Sequence, residues 1–335
     1  MYTFFFILII INLLLLFRHN NLIKSINLKD KKTDIALLGG PFLFFNFTLI
    51  SIFFLIYPEN ILMGDYFKNF FIDQNSISSR ELLFFILLPT LFFFMGIYDD
   101  KFNLHANYRL IISFSIIFIF LLIDDNFIIK TIKINDKVQL DLYELSIIFT
   151  IICVTGLIFA FNMYDGINLQ FGIHLLIVFL FFIHKGILFN FFLIFTILIL
   201  IFLFLNFTNK IYMGDSGVYF LGALVSIIFL KNYNNGTLNI LEIITLSLIP
   251  ILDMFRVIFT RVLNGIHPFK KDNLHLHYLL KKKFSKKKYL WQAGSFLTIL
   301  NILLIEIYFK TYFILMFFIL IYILLIAYLN LSKKK

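Results

Sequence analysis

The sequence predicts an all-α, polytopic membrane protein with about eleven transmembrane helices. Three observations carry this prediction: 61% of the 335 residues are hydrophobic, only 14% are charged, and the apolar residues form runs long enough to cross a bilayer. A soluble domain of this length needs far more polar surface. The single cysteine, Cys153, lies inside an apolar run, which excludes disulfide chemistry within the chain and a cysteine-ligated metal centre.

Each apolar run is assigned as one span, and residues 1–335 are interpreted as a single integral membrane domain. The first run lacks a basic leader and a small-residue cleavage site, so it is interpreted as a span and not as a secretory signal peptide. The last two runs form a C-terminal pair. The predicted spans are 2–17, 35–57, 81–98, 109–123, 144–163, 168–184, 186–206, 217–231, 240–258, 289–309 and 311–330.

Lysine and arginine are concentrated in segments 18–34, 259–288 and 333–335, which the span count places on one side of the membrane. The positive-inside rule makes this side cytoplasmic and places the N-terminus outside. Membrane orientation and contacts with lipid therefore explain the net charge of +10, and a nucleic acid partner is not expected. In loop 124–143, polar and apolar residues alternate at 128–134, which predicts a short extracytoplasmic β-hairpin.

Carboxylates and amides recur at the cytoplasmic ends of the predicted spans. Asp99 and Asp100 follow the apolar run 82–95, where two adjacent charges are costly. A solvated helix end explains them as well as a metal or phosphate site does, although Mg²⁺ prefers such ligands. Asn162 and Asp165 are three residues apart and share one face of a helix, but an ordinary turn that ends the span explains them equally well.

A glycine-flanked carboxylate begins another span, in the segment Met213-Gly214-Asp215-Ser216-Gly217. Glycines let a backbone approach a ligand closely, and the first N–H groups of the following helix attract an anion. This pattern is typical of a phosphate site with a metal. The alternative, which this segment alone favours, is a polar helix cap in which Asp215 accepts backbone N–H groups.

The basic loop 259–288 contains Arg261, His275 and His277. The two histidines would lie on the same face of an extended segment but on different faces of a helix. With the neighbouring lysines they form a donor-rich surface suited to a diphosphate. Two histidines without cysteine favour Mg²⁺ over zinc, and the whole inventory fits metal-assisted phosphoryl transfer between a soluble nucleotide and a lipid-anchored phosphate.

In this order the motifs resemble those of the polyprenyl-phosphate N-acetylhexosamine-1-phosphate transferases, membrane enzymes of the glycosyltransferase family 4 type. The resemblance extends over about residues 31–280, and its closing His-x-His is more similar to the branch that uses UDP-N-acetylhexosamines than to the phospho-MurNAc-pentapeptide branch. The motifs are Lys31-Lys32 with Gly39-Gly40, Gly96-Ile97-Tyr98-Asp99-Asp100, Asn162-Met163-Tyr164-Asp165-Gly166, Met213-Gly214-Asp215-Ser216-Gly217, and Pro250-Ile251-Leu252-Asp253 followed by Asp272-Asn273-Leu274-His275-Leu276-His277.

The resemblance implies transfer of a sugar-1-phosphate from a UDP-sugar to polyprenyl phosphate in the bacterial inner membrane, with release of UMP. It implies Mg²⁺ as cofactor, with Mn²⁺ as an alternative, and leaves open a homodimer and a one-step or two-step route. Asp99 would position or deprotonate the acceptor, Asp100 would hold the acceptor or the metal, and Asp215 would be the main metal ligand. The implied substrate-binding residues are Asn162, Asp165, Arg261, His275, His277 and Lys32.

A transporter or flippase of lipid-linked sugars is the rival class. Transporters place ionisable groups and broken helices near the bilayer midplane, whereas the middles of these predicted spans are nearly free of charge. The sequence therefore favours an enzyme. Its departures from the family pattern leave the identity of the sugar open: Asn168 stands where many relatives have Asp, Tyr278 replaces a histidine, and Arg109 replaces a lysine.

Overall fold

The computed structural model describes residues 35–56, 79–135, 138–269, 272–284 and 311–331. The described chain is mostly α-helical, and five of its helices are long and apolar enough to cross a membrane. The prediction of a helical, multi-pass membrane protein is confirmed. The spans predicted at 2–17 and 289–309 lie outside the described residues, as does Lys32, so the total of eleven stays a prediction.

Ten α-helices make up most of the described residues. Nine of them coincide with predicted spans to within a few residues. The tenth, α9, was not predicted, because three lysines in eight residues remove it from the apolar pattern. The helices are α1 (Gly39–Ile56), α2 (Ser79–Phe102), α3 (Ala106–Ile123), α4 (Ser146–Tyr164), α5 (Gln170–His184), α6 (Phe189–Phe207), α7 (Gly214–Asn234), α8 (Ile240–Leu263), α9 (Leu276–Lys283) and α10 (Thr311–Leu331).

Helix α7 lies at the centre of the described bundle. All its residues from 216 to 232 are buried, and it packs against α1, α2 and α4. Two contacts require glycine: a Cβ atom on Gly40 would lie 2.4 Å from the backbone N of Gly217, and one on Gly96 would lie 2.3 Å from Cα of Ser216. Gly40 and Gly96 therefore admit a neighbouring helix, and so does Gly217, for which the sequence suggested close approach of a ligand.

Ion pairs hold the bundle together at the C-terminal end of α7. Lys231 Nζ bonds to Glu81 Oε1 of α2, and both side chains are buried. A second pair joins Lys185 Nζ, after α5, to Glu242 Oε1 of α8 at 2.7 Å. Breaking a buried pair leaves an uncompensated charge and is strongly destabilising. These contacts therefore fix how the helix ends meet.

A short antiparallel hairpin, β1 (Thr131–Asn135) and β2 (Val138–Asp141), connects α3 to α4. This confirms the hairpin predicted from the alternating pattern. Tyr233, near the end of α7, donates its hydroxyl to the carbonyl of Thr131 at 2.8 Å and accepts from the N–H of Lys133 at 2.8 Å. The hairpin is thus attached to the end of the bundle where α7 finishes.

The predicted polar motifs gather at the other end of the bundle, where α2, α4, α6 and α8 end and α3, α5 and α7 begin. The buried side chain of Asn206 joins two loops there. Its Oδ1 accepts from the N–H of Leu169 at 2.6 Å, and its Nδ2 donates to the carbonyl of Ile211 at 2.8 Å. The loops on which the site depends are therefore tied to each other by buried hydrogen bonds.

Candidate active site

A cavity of about 420 Å³ lies at this end of the bundle. Its volume is in the range of small-molecule sites. Its walls come from the beginnings of α3 and α7, the ends of α4 and α8, the loop that follows α8, and α9. The lining residues are Ala106, Arg109, Leu110, Phe159, Asn162, Met163, Asp165, Gly166, Asp215, Arg261, Phe269, Asp272, Asn273, His275 and Tyr278. Charged groups from five elements therefore surround one space.

Three carboxylates line the cavity. Two of them are Asp165, just after α4, and Asp215, in the first turn of α7. Asp215 Oδ1 accepts a hydrogen bond from Asn162 Nδ2 at 2.6 Å, which fixes the carboxylate. Burial, together with the negative charges of Asp215 and Asp100, raises the pKa of Asp165 to about 7. The cavity concentrates negative charge, and a cation would relieve it.

Asp100 caps helix α7. Its Oδ1 accepts from the N–H of Asp215 at 2.7 Å and its Oδ2 from the N–H of Ser216 at 3.0 Å. Gly214 makes this approach feasible, since its φ is +75° and a Cβ atom there would lie 2.9 Å from Asp100 Oδ2. The anion at the start of α7 is therefore the carboxylate of Asp100. The sequence left open a bound phosphate or a cap by Asp215, and neither is the group that accepts these N–H bonds. Asp100 sets the position of the Asp215 backbone.

Asp99 faces a different set of partners and is 2% exposed. Its Oδ2 accepts from Arg109 Nη1 at 3.1 Å and from the Tyr219 hydroxyl at 3.0 Å, and its Oδ1 accepts from the N–H of Leu104 at 2.8 Å. Arg109 lines the cavity and Asp99 does not. Tyr219 was not predicted as a site residue, although it follows Asp215 by four residues and so lies on the same face of α7.

Asp253 of α8 organises the loop that carries the histidines. It accepts from His275 Nδ1 at 2.8 Å, from Arg256 Nη2 at 2.7 Å, from the Tyr322 hydroxyl at 2.9 Å and from the N–H of Leu276 at 3.1 Å. Because Asp253 holds Nδ1, Nε2 is the ring nitrogen of His275 that is left for a ligand. Tyr322 comes from α10 and belongs to no motif, so the sequence offered no signal for it.

Arg261 anchors the loop between α8 and α9. Its side chain is 2% exposed, its Nε donates to Asp272 Oδ2 at 2.8 Å, and its Nη1 donates to the carbonyl of Pro268. Burial alone would raise the pKa of Asp272, but the hydrogen bonds from Arg261 and from the N–H of Leu274 lower it. Asp272 is therefore a carboxylate paired with its own arginine, beside a cavity that both residues line.

His277 does not line the cavity. Its side chain is fully buried, its ring stacks parallel on His275 with the centroids 5.6 Å apart, and neither ring nitrogen has a hydrogen-bond partner among the described residues. A Cβ atom on Gly166 would lie 2.0 Å from His277 Nε2. Burial lowers the pKa of His277 to about 3. The ring thus packs between His275 and the turn at Gly166.

The donor set near Asp215 suits a hard cation. No group of three or more histidine, cysteine, aspartate or glutamate side chains in the described residues is placed to hold a metal ion alone. Mg²⁺ in nucleotide sites is commonly held by one or two carboxylates, with phosphate oxygens and water completing the shell. Asp215 and Asp165, with the amide oxygen of Asn162 beside them, fit that requirement.

The fold and the cavity together define a class of protein, a multi-pass helical membrane protein with carboxylates and basic side chains around one cavity at an end of its bundle. A comparison with known families makes this class more specific. The family model described as glycosyl transferase family 4 matches residues 82–232, a segment that includes Asp99, Asp100, Asn162, Asp165 and Asp215. The resemblance drawn from the motifs is confirmed over this segment.

Curated relatives have one name in common, undecaprenyl-phosphate alpha-N-acetylglucosaminyl 1-phosphate transferase. The protein from Salmonella typhi is 24% identical over 215 residues, which cover 60% of this chain and 59% of that protein. The one from Escherichia coli O157:H7 is 25% identical over 202 residues, 56% of this chain and 55% of that protein. The one from Haemophilus influenzae is 34% identical over 73 residues, 21% of each chain. The chain therefore spans less than two thirds of the length of these relatives.

Proposed function

We propose that this protein transfers N-acetylhexosamine-1-phosphate from a UDP-sugar to a polyprenyl phosphate, releases UMP and so starts a lipid-linked cell-envelope glycan. One observation carries the proposal: a single cavity at one end of a membrane bundle combines Asp165 and Asp215 with Arg109, Arg261 and His275. Both substrates are anionic phosphates, and cationic side chains beside carboxylates can bind them together with a divalent cation. The names of the relatives support this donor and acceptor.

The reaction needs little help from a base. An oxygen of the acceptor phosphate forms a bond to the β-phosphorus of the donor, and the bond from that phosphorus to the bridging oxygen breaks, so that UMP leaves. The second pKa of a phosphate monoester is about 6, so the acceptor is mostly ionised at neutral pH. Positioning and charge neutralisation are then the main tasks of the protein. Arg109, Arg261 and His275 supply the cationic and donor groups for them.

Mg²⁺ fits the carboxylate side of the cavity, and Mn²⁺ has the same preference for oxygen ligands. Asp215 would be the main ligand, with Asp165 or the amide oxygen of Asn162 beside it. When bound, the ion neutralises negative charge on the diphosphate. Asp100 contributes through the backbone of Asp215, since both its oxygens accept N–H groups at the start of α7.

The proposed orientation places the cavity at the cytoplasmic face of the bacterial inner membrane and the N-terminus outside. The support is that Arg261 lines the cavity and that Lys281, Lys282 and Lys283 belong to α9, whose Tyr278 also lines the cavity. The positive-inside rule expects such basic residues at a cytoplasmic face. UDP-sugars are soluble donors that approach from that side. Within this proposal residues 1–335 act as one transferase domain.

The test is UMP release by the purified protein in nanodiscs, with undecaprenyl phosphate, Mg²⁺ and a panel of UDP-GlcNAc, UDP-GalNAc and UDP-MurNAc-pentapeptide. We expect release with a UDP-N-acetylhexosamine, dependent on both lipid and metal. Release with the pentapeptide donor alone would instead assign the protein to peptidoglycan synthesis. No release with any donor would refute the proposal and leave a flippase as the next candidate.

The substitution Asp215→Asn should abolish this UMP release, because it removes a charge from the proposed metal site. Asp125→Asn is the matched control, since Asp125 is an exposed carboxylate at the opposite end of the bundle, where it pairs with Lys130 at the surface. The control should retain full activity. Equal activity of the two variants would contradict the role of Asp215.

A further inference from the structure

Arg109 lines the cavity, and Asp99 binds Arg109 without lining the cavity itself. The carboxylate side chain is 2% exposed, whereas the guanidinium side chain is 12% exposed and belongs to the cavity wall. A general base must come within hydrogen-bond reach of the proton it removes. A substrate phosphate in the cavity would meet Arg109 first.

The lone pairs of Asp99 are largely occupied by the protein. Oδ2 accepts from both Arg109 Nη1 and the Tyr219 hydroxyl, and Oδ1 accepts from the N–H of Leu104. Arg109 Nη1 also donates to the Tyr219 hydroxyl at 3.2 Å, so Asp99, Arg109 and Tyr219 are all hydrogen-bonded to one another. One nitrogen of the guanidinium is thereby held from two sides, by side chains on α2 and α7.

The rest of the guanidinium is available to a ligand. Among the described residues, Arg109 forms hydrogen bonds only through Nη1. Its Nε and Nη2 therefore keep donors for a substrate in the cavity. A planar guanidinium with one edge fixed is suited to bind a phosphate group through its other donors.

We propose that Asp99 and Tyr219 are positioning residues that hold Arg109 in place to bind a substrate phosphate, and that Asp99 does not act as the base. The inference rests on the proposed function and makes it more specific. The phosphate belongs either to the lipid acceptor or to the diphosphate of the donor. Asp99 then affects the reaction only through Arg109.

A double-mutant cycle tests the inference, with kcat and KM measured for both substrates in wild type, Asp99→Asn, Arg109→Gln and the double variant. We expect Arg109→Gln to raise the KM for one substrate by about 10- to 100-fold, the effect of losing a charge-assisted hydrogen bond. The substrate whose KM rises identifies the phosphate that is bound. Asp99→Asn should raise the same KM. In the double variant, this KM should be less than about twofold higher than in Arg109→Gln alone.

Two further measurements separate positioning from base catalysis and from misfolding. The acid limb of the pH profile of kcat should be the same in Asp99→Asn as in wild type. Tyr219→Phe removes only a hydroxyl and should raise the same KM by a smaller factor, and this variant decides the question if Asp99→Asn does not fold. Arg109→Lys should restore part of the affinity lost in Arg109→Gln, because it restores the charge.

The contrary result has two parts. Asp99→Asn lowers kcat, and the fold losses of Asp99→Asn and Arg109→Gln multiply in the double variant. The pH profile of kcat also changes in Asp99→Asn. That outcome would make Asp99 a base and overturn this inference, while the proposed function would stand. Wild-type protein without activity on any donor would instead refute the proposed function and this inference with it.

Discussion

The adjacent carboxylates of Asp99 and Asp100 serve different elements of the structure. Successive side chains on a helix point in different directions, so Asp99 reaches Arg109 and Tyr219 while Asp100 reaches the first N–H groups of α7. Two charges at the end of an apolar run need compensation, and this alone left a solvated helix end and a phosphate site equally open; the family resemblance of the motifs implied the phosphate site. The sequence could not assign their partners, since only tertiary packing brings α7 to the end of α2.

The histidines show the same limit of sequence reasoning. The spacing of His275 and His277 predicts a shared face in an extended segment, and the two rings do stack on each other. The spacing contains no information on burial, however, and His277 is fully buried while His275 lines the cavity. Asp253, which binds His275 from α8, determines which histidine faces a ligand.

The burial of His277 predicts that the protein loses stability as the pH falls. In the unfolded chain this histidine takes up a proton near pH 6.5, whereas burial lowers the pKa of His277 to about 3 in the folded chain. Stability is therefore complete above about pH 6.5 and falls by up to about 1.4 kcal/mol per pH unit between about pH 6.5 and 3. Thermal unfolding in detergent should show a shallower decline from pH 7 to 5 for His277→Gln than for wild type. The control His267→Gln changes an exposed histidine and should leave the decline unchanged.

At the scale of elements, α7 determines where the site forms. Its first turn supplies Asp215, and its glycine contacts with α1 and α2 bring Asp100 within hydrogen-bond distance of its N-terminus. Apolar runs predicted the helices well, because a segment that crosses the bilayer must satisfy its backbone N–H and C=O groups within itself, and an α-helix does so. The same runs could not predict which helix is central, since nearly every span is apolar on all sides.

Close helix packing predicts opposite outcomes for two glycine-to-alanine substitutions. Gly96→Ala should destabilise the protein by about 1 to 3 kcal/mol, because the new Cβ atom would lie 2.3 Å from Cα of Ser216 and force α2 away from α7. Gly156→Ala in α4 is the matched control, since its Cβ atom would have no neighbour within 4 Å. The control should be neutral or up to about 1 kcal/mol more stable, from helix propensity. Equal thermal unfolding temperatures for the two variants would contradict the described packing of α2 on α7.

At the scale of the whole molecule, the two ends of the bundle differ in chemistry. One end holds the cavity and its ionisable groups, and the other holds the β-hairpin and the Lys231–Glu81 pair. The sequence predicted this asymmetry, because the motifs at Asp99 and Asp100, at Asn162 and Asp165, and at Asp215 lie between alternate predicted spans. It missed the buried pair, since two isolated charges near span ends resemble ordinary boundary residues.

The proposed orientation predicts which end can be labelled from outside the cell. Cys153→Ser removes the only cysteine, and single cysteines are then introduced as Glu144→Cys near the hairpin or Asn264→Cys beside the cavity, both at exposed positions. A membrane-impermeant maleimide should label the cysteine at position 144 in intact cells and the one at position 264 only after permeabilisation. Labelling of position 264 in intact cells would place the cavity outside the cytoplasm.

Transfer of the sugar-1-phosphate can be measured directly by following the two phosphates of the donor separately. Purified protein in nanodiscs with undecaprenyl phosphate and Mg²⁺ is given a UDP-N-acetylhexosamine labelled with ³²P at either the α or the β position. We expect the β-label to enter the lipid fraction and the α-label to stay in solution as UMP. Retention of both labels in solution while the sugar enters the lipid fraction, or no transfer of any label, would contradict the proposed function.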